Sequence, residues 1–225
     1  MKSFTLSHIL ALSCSVAATI VNLGTAITYG VVSGTAGVAN TGLTVITGNL
    51  GTTAASITGF GPGVVTGTKN INNPAGITAF NDASLAYAQA FGLVGGINWS
   101  SMSDLTGRTI LPGIYKFSGT VSLNGQVFLN AQGNSSATWV FQIGSALNIN
   151  LGSQVILTNG AKACNIFWQA GSTAVIQVNT AFQGNVLAYA GINVKTSASV
   201  KGGLYAKTAS VTLEGNAVKA PNLVC

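Results

Sequence analysis

The sequence predicts an all-β chain with one long helix, a three-faced β-solenoid whose repeats are interrupted once. Three observations lead there. Short β-rich runs separated by turn residues recur at a period of about 26 residues shrinking to about 18, the mark of a stacked repeat. Gly makes up 29 of 225 residues, and Gly, Asn, Ser or Thr breaks every apolar run past residue 21. Only 5% of residues are charged, against roughly 25% in an ordinary soluble chain. Low hydrophobicity with high charge would indicate disorder, and neither holds here, with 48% hydrophobic residues and a mean hydropathy of +0.51. The interrupted runs fall short of the roughly 20 apolar residues a spanning helix needs. The Gly and β-branched load also excludes a helical bundle.

The first eighteen residues stand apart. Lys2 precedes the apolar stretch Ile9-Leu10-Ala11-Leu12, and Val16-Ala17-Ala18 closes it with small residues. That order predicts a secretory signal peptide cleaved after Ala17 or Ala18, leaving one domain over residues 19–225 and an extracellular location. Cleavage would remove His8, the sole histidine, and Cys14. Cys164 and Cys225 then remain, and two cysteines in a secreted chain predict one disulfide tying the C-terminal tail to the body. Asn98-Trp99-Ser100 and Asn134-Ser135-Ser136 are glycosylation sequons where the source is eukaryotic.

Next comes a cadence of three short strands, Tyr29–Ser33, Gly37–Asn40 and Leu43–Gly48. A helix comes after them. Asn73 offers a cap, Pro74 suits the first turn, and Ile77, Phe80, Ser84, Tyr87 and Phe91 recur at helical spacing before Gly92. The expected helix runs over 74–91, with that stripe lying on the solenoid.

From Gly113 each repeat supplies three strands, X, Y and Z. The X strands include Trp139-Val140-Phe141 and Ile166-Phe167-Trp168, apolar on both sides, so the X face is covered and the helix is the cover. The Y strands lie near 120–124, 146–151, 174–179, 192–196 and 210–214, and they alternate. Their outward positions are Ser122, Asn124, Asn148, Asn150, Val175, Gln177, Asn193, Lys195, Thr212 and Glu214. The Z strands also alternate, with Gln154, Ile156, Thr158, Ala181, Gln183, Lys201 and Lys219 outward.

Function classes narrow accordingly. A formal charge of +6 raises nucleic-acid binding, but Lys69, Arg108, Lys116, Lys162, Lys195, Lys201, Lys207 and Lys219 are scattered singly along the chain and read as solvated residues. Polysaccharide-cleaving β-helices need paired carboxylates or a base. Asp82, Asp104 and Glu214 are the only acids, and none belongs to a motif. No metal or cofactor is expected, since neither a ligand cluster nor a phosphate-cradling motif occurs. An adhesin holding carbohydrate is the surviving rival, with Trp99 as its only free aromatic platform.

Several stretches resemble one family: Leu111-Pro112-Gly113-Ile114-Tyr115, Val140-Phe141-Gln142-Ile143-Gly144, Asn159-Gly160-Ala161-Lys162-Ala163-Cys164-Asn165-Ile166-Phe167-Trp168, and Phe182-Gln183-Gly184-Asn185-Val186-Leu187-Ala188. Together they are similar to the ice-binding (antifreeze) proteins of cold-adapted microbes. That resemblance implies a discontinuous right-handed β-helix with an α-helix packed along one face. It further implies a secreted monomer whose partner is the ice crystal surface, with no nucleic acid, no membrane after leader cleavage, and no enzymatic activity. The expected effects are thermal hysteresis and inhibition of ice recrystallisation.

With X covered, Y or Z is the ice face. Y is preferred because its outward residues are smaller and less often Lys, which makes Ser122, Asn124, Asn148, Asn150, Val175, Gln177, Asn193 and Thr212 the expected ice-binding residues. Val175 stands where many family members carry Thr, and Lys195 and Glu214 lie on the same face. Both departures imply moderate rather than hyperactive freezing-point depression.

Overall fold

The computed structural model describes residues 21–225. The expected leader lies outside the described residues. Residues 21–225 form a triangular solenoid of three parallel sheets plus one long helix, α1, over Pro74–Gly92. Sheet X has nine strands, sheet Y six and sheet Z eight.

Spatial order departs from chain order at one point. The strands Tyr29–Ser33, Val38–Thr41 and Val45–Thr47 do not begin the stack. They pair with Leu204–Ala206, Val211–Glu214 and Ala217–Lys219, so the N-terminal rung sits on the C-terminal one. Asn49–Thr52, Val64–Val65 and Lys69–Ile71 extend that end. Helix α1 then returns along sheet X. At the far end Ile97–Asn98 and Thr109–Ile110 start the main run, beside Gly113–Phe117 and Gln126–Asn130. The solenoid is thus discontinuous, and the helix bridges its two ends.

The core lies inside the triangle. In the wide rungs rings stack along the axis, Tyr115 on Phe141 at 5.6 Å and Phe141 on Trp168 at 4.0 Å, with Phe182 of sheet Z tilted against Trp168 at 5.5 Å. The narrower rungs fill the same column with Val186, Leu204 and Val31. Trp168 in this column and Trp139 beside it are fully buried inside the triangle, not on the helix side. Trp99 is not a free platform either. It is half-buried at the solenoid end, 4.4 Å from the Tyr115 ring and 5.8 Å from Phe117. An aromatic ring at the open end of a hydrophobic column gains more by capping it than by facing water.

The helix begins as expected. Asn73 caps it, its side-chain oxygen accepting from the Gly76 N–H at 2.8 Å, with Pro74 in the first turn. Its buried face is not the expected stripe. Gly76, Ala79, Ala83, Ala86 and Ala90 face the sheet, while Phe80 and Tyr87 are half-buried at the edge and Ile77 and Phe91 are exposed. The spacing is the same, shifted by one residue. Sheet X presents large outward residues, Val32, Val140, Phe167, Leu187 and Tyr205, and only small ones opposite let the helix approach closely. Gln142 satisfies the helix C-terminus, its Nε2 donating to the carbonyls of Ala90 at 2.7 Å and Leu93 at 2.9 Å.

Cys164 and Cys225 form a disulfide, with Cα atoms 5.4 Å apart, that holds the tail against the corner between Z and X.

Candidate functional site

Sheet Y carries no helix. Its strands Val121–Leu123, Leu147–Ile149, Ala174–Ile176, Ile192–Val194, Val211–Glu214 and Val38–Thr41 alternate strictly between buried and outward positions. The inward side chains, such as Leu147, Ile149, Ile192 and Leu213, have essentially no exposure. A slip of one residue would turn that whole set out to water, so burial locks the register.

The locked register puts the outward residues in rows. Ser122, Asn148, Val175, Asn193 and Thr212 are successive cross-strand partners. The row continues onto the N-terminal rung through Ala39, and single bridges add Asp104 before Ser122 and Thr58 after Ala39. Chain order alone gave no sign of Ala39 or Thr58 in this row, because the N-terminal rung joins it from about 170 residues away in sequence. Neighbouring strands lie about 4.8 Å apart and alternate outward positions about 6.6 Å apart along a strand, which sets the grid of the face.

Asn124, Asn150, Gln177, Lys195 and Glu214 form a second row at the strand ends, kept in step by backbone bonds such as Asn150 N–H to the Leu123 carbonyl and Gln177 N–H to that of Ile149. Much of this row is bonded to itself. Asp104 accepts from Asn124 Nδ2 at 2.8 Å, and Asn124 in turn accepts from Asn150 Nδ2. Lys195 Nζ meets Glu214 Oε1 at 2.6 Å. In the first row Thr212 donates to the Asn193 side-chain oxygen. Such cross-rung bonds restrict rotamers before any partner arrives.

The two departures from a neutral face therefore neutralise each other, as Lys195 and Glu214 are one ion pair. The third charge, Asp104, is held at the end of the row. Burial alone would raise its carboxyl, but hydrogen bonds from the Thr106 and Asn124 side chains and backbone outweigh that and hold it below the usual carboxylate range.

The three carboxylates serve separate structural posts. Asp82, on α1, accepts from the Thr25 N–H at 2.7 Å and its hydroxyl at 2.6 Å. Asp104 closes its own turn with Thr106 at 2.9 Å, and Glu214 holds Lys195. Among the described residues no group of three His, Cys, Asp or Glu lies together, and no helix is long and apolar enough to cross a membrane.

This geometry defines a class: a discontinuous three-faced β-helix with a bridging helix and an uncovered, register-locked face that is nearly free of net charge. The chain belongs to the Ice-binding-like family, whose pattern it matches over residues 32–219. It is 39% identical over 204 residues to an ice-binding protein of Nostoc sp. (strain HG1), spanning 90% of this chain and 75% of the relative. An ice-binding protein of Flavobacterium frigoris (strain PS1) is 34% identical over 219 residues, spanning 90% and 77%. The solved ice-binding protein of the Antarctic ascomycete Antarctomyces psychrotrophicus superposes with a TM-score of 0.86 at 40% identity, covering 88% of this chain and 97% of that one. These likenesses bear out the resemblance read from the sequence and give no support to the adhesin reading.

Proposed function

We propose that this chain binds ice through sheet Y, as a secreted monomer without enzymatic activity. One observation carries the choice of face. Y is the helix-free sheet whose outward rows run in unbroken register over six strands, with both mid-face charges cancelled in one ion pair. Ice is a neutral solid. A surface of strongly hydrated charges would lose hydration water against it and gain nothing. Short side chains, several stiff at χ1 or bonded to their neighbours, lose little entropy on adsorption. Many weak contacts over a flat area then sum to adsorption that does not reverse on the timescale of growth. The ice front must bulge between adsorbed molecules, which lowers the freezing point and blocks recrystallisation.

The residues assigned to the contact are Ser122, Asn124, Asn148, Asn150, Val175, Gln177, Asn193 and Thr212. Val175 supplies a methyl pair without a hydroxyl, which supports moderate rather than hyperactive activity. Among the described residues the three carboxylates stand apart, Asp82 bonded to Thr25, Asp104 to Thr106 and Glu214 to Lys195, and this separation supports a non-catalytic role.

The test is a bulky substitution on each uncovered face. Thr212→Tyr and Asn148→Tyr should abolish most thermal hysteresis in a nanolitre osmometer while circular dichroism stays unchanged. Unaltered hysteresis in both, with loss in Thr158→Tyr, would move the site to Z.

A further inference from the structure

The cations are scattered in sequence, but the fold gathers three of them. Lys201 and Lys219 are direct cross-strand partners in sheet Z, both exposed. Lys162, from the loop between Z and X, lines the same open concavity of about 340 Å³, together with Leu157, Leu223 and Val224. Lys201 and Lys219 are solvated, as expected, but they are not isolated in space, because the solenoid period brings positions 18 residues apart side by side.

The arrangement has a cost. Like charges on facing strand positions repel; no carboxylate side chain lines the concavity, and the one anion at its rim, the terminal carboxylate of Cys225, forms no ion pair with the three lysines. Among the described residues the only ion pair is Lys195–Glu214, on another face. Other cations have rings as partners: Lys207 lies 5.6 Å from the Tyr87 ring, Lys69 5.5 Å from Phe60 and Arg108 5.9 Å from Trp99. Lys116, which stands apart on sheet X, has neither, and nor do Lys162, Lys201 and Lys219. Their backbone is held firmly, since the Cys164–Cys225 bond closes the corner beside them.

We propose that this concavity is a second binding site, which takes the sulfate or phosphate esters of an acidic polysaccharide while sheet Y remains free for ice. Two lysines on neighbouring strands, whose backbones lie about 4.8 Å apart, can bring their ammonium groups to one tetrahedral oxyanion, and Lys162 meets the next. An open site of point charges favours a polymer over a free ion, because linked anions engage the three lysines together. No aromatic ring lines the concavity, so a nucleic acid would find no surface on which to stack a base.

The test compares retention of the full chain on immobilised dextran sulfate with retention on neutral dextran. Two triple variants with equal net charge are needed: Lys162→Gln/Lys201→Gln/Lys219→Gln, and Lys69→Gln/Lys116→Gln/Lys207→Gln. The wild type should bind dextran sulfate in a salt-sensitive way. The first variant should lose about tenfold in affinity and the second less than about twofold. Thermal hysteresis should persist in the first variant. In the unaltered chain, added dextran sulfate should shift the amide resonances of residues 157–163, 201 and 219, not those of sheet Y. Equal losses in the two variants would overturn the proposal. So would no binding by the wild type, hysteresis lost together with retention, or tighter capture by duplex DNA or phosphatidylglycerol vesicles.

Discussion

Sheets Y and Z are built by the same chain, at the same period, around the same core, and neither is covered by the helix. They differ in how their few outward features fall. Y keeps its register from Ser122 to Ala39 without a break, and its mid-face charges cancel between Lys195 and Glu214. On Z the pairing between Gln154–Thr158 and Ala181–Gln183 is reduced to one matched position, Gln154 with Ala181. Beyond it Lys201 faces Lys219 with no counter-ion among the lining side chains. A single acid placed one rung away decides whether a lysine belongs to a neutral surface or to an anion-attracting one.

The sharpest way to break this contrast is a tyrosine placed outward on each face. Thr212→Tyr should remove most of the hysteresis, and Ala217→Tyr, outward on the neighbouring Z strand, should leave it nearly intact. Osmometry on the two proteins reads the difference directly.

A second prediction transfers a Z-like charge to Y. Glu214→Gln leaves Lys195 unpaired and should lower hysteresis severalfold. Lys195→Thr/Glu214→Thr removes both charges and should restore or exceed the original value. The pair is more than one-third exposed on each side, so thermal melts should change little in either variant.

A third separates stability from adsorption. The disulfide closes a loop of 61 residues, for which chain entropy gives about 4 kcal/mol. Cys164→Ser/Cys225→Ser should therefore melt at a clearly lower temperature, yet keep its hysteresis near 0 °C, because the bond braces the Z corner and not Y. Calorimetry and osmometry on the same sample check both halves.

The smallest effect is expected at Asp104. Its carboxyl lies below the ordinary range in the folded chain, so its contribution is present at neutral pH and is lost as pH falls through that lowered value. Protection factors at Thr106 and Asn124, corrected for the intrinsic pH dependence of amide exchange, should fall on acidification, while those of the distant Asn193–Thr212 rungs stay high.

Much of this was legible in the sequence because the signals are local. Period-two alternation marked the inward Y residues, Asn73-Pro74 marked the helix start, and two cysteines marked the bond. Three matters needed the third dimension. The helix face was displaced by one residue because periodicity locates a stripe of large side chains, whereas the sheet called for small ones. Trp99 had no local partner in sequence, and its partners Tyr115 and Phe117 come from the next rung. The lysines of Z are neighbours only across strands, so spacing along the chain disguised them as isolated.

The seat of Val31 beside Leu204 also has a meaning in time. The first rung finds Asn49–Thr52 and Val64–Val65 on one side early, but its other side has no partner until Leu204–Ala206, Val211–Glu214 and Ala217–Lys219 exist, so closure of the stack waits for them. Contacts spanning so much sequence fold slowly. A chain cut short near residue 200 would keep its aromatic-filled middle while one side of its first rung stayed unmatched, which makes the strands after Gly203 the signal that assembly can finish.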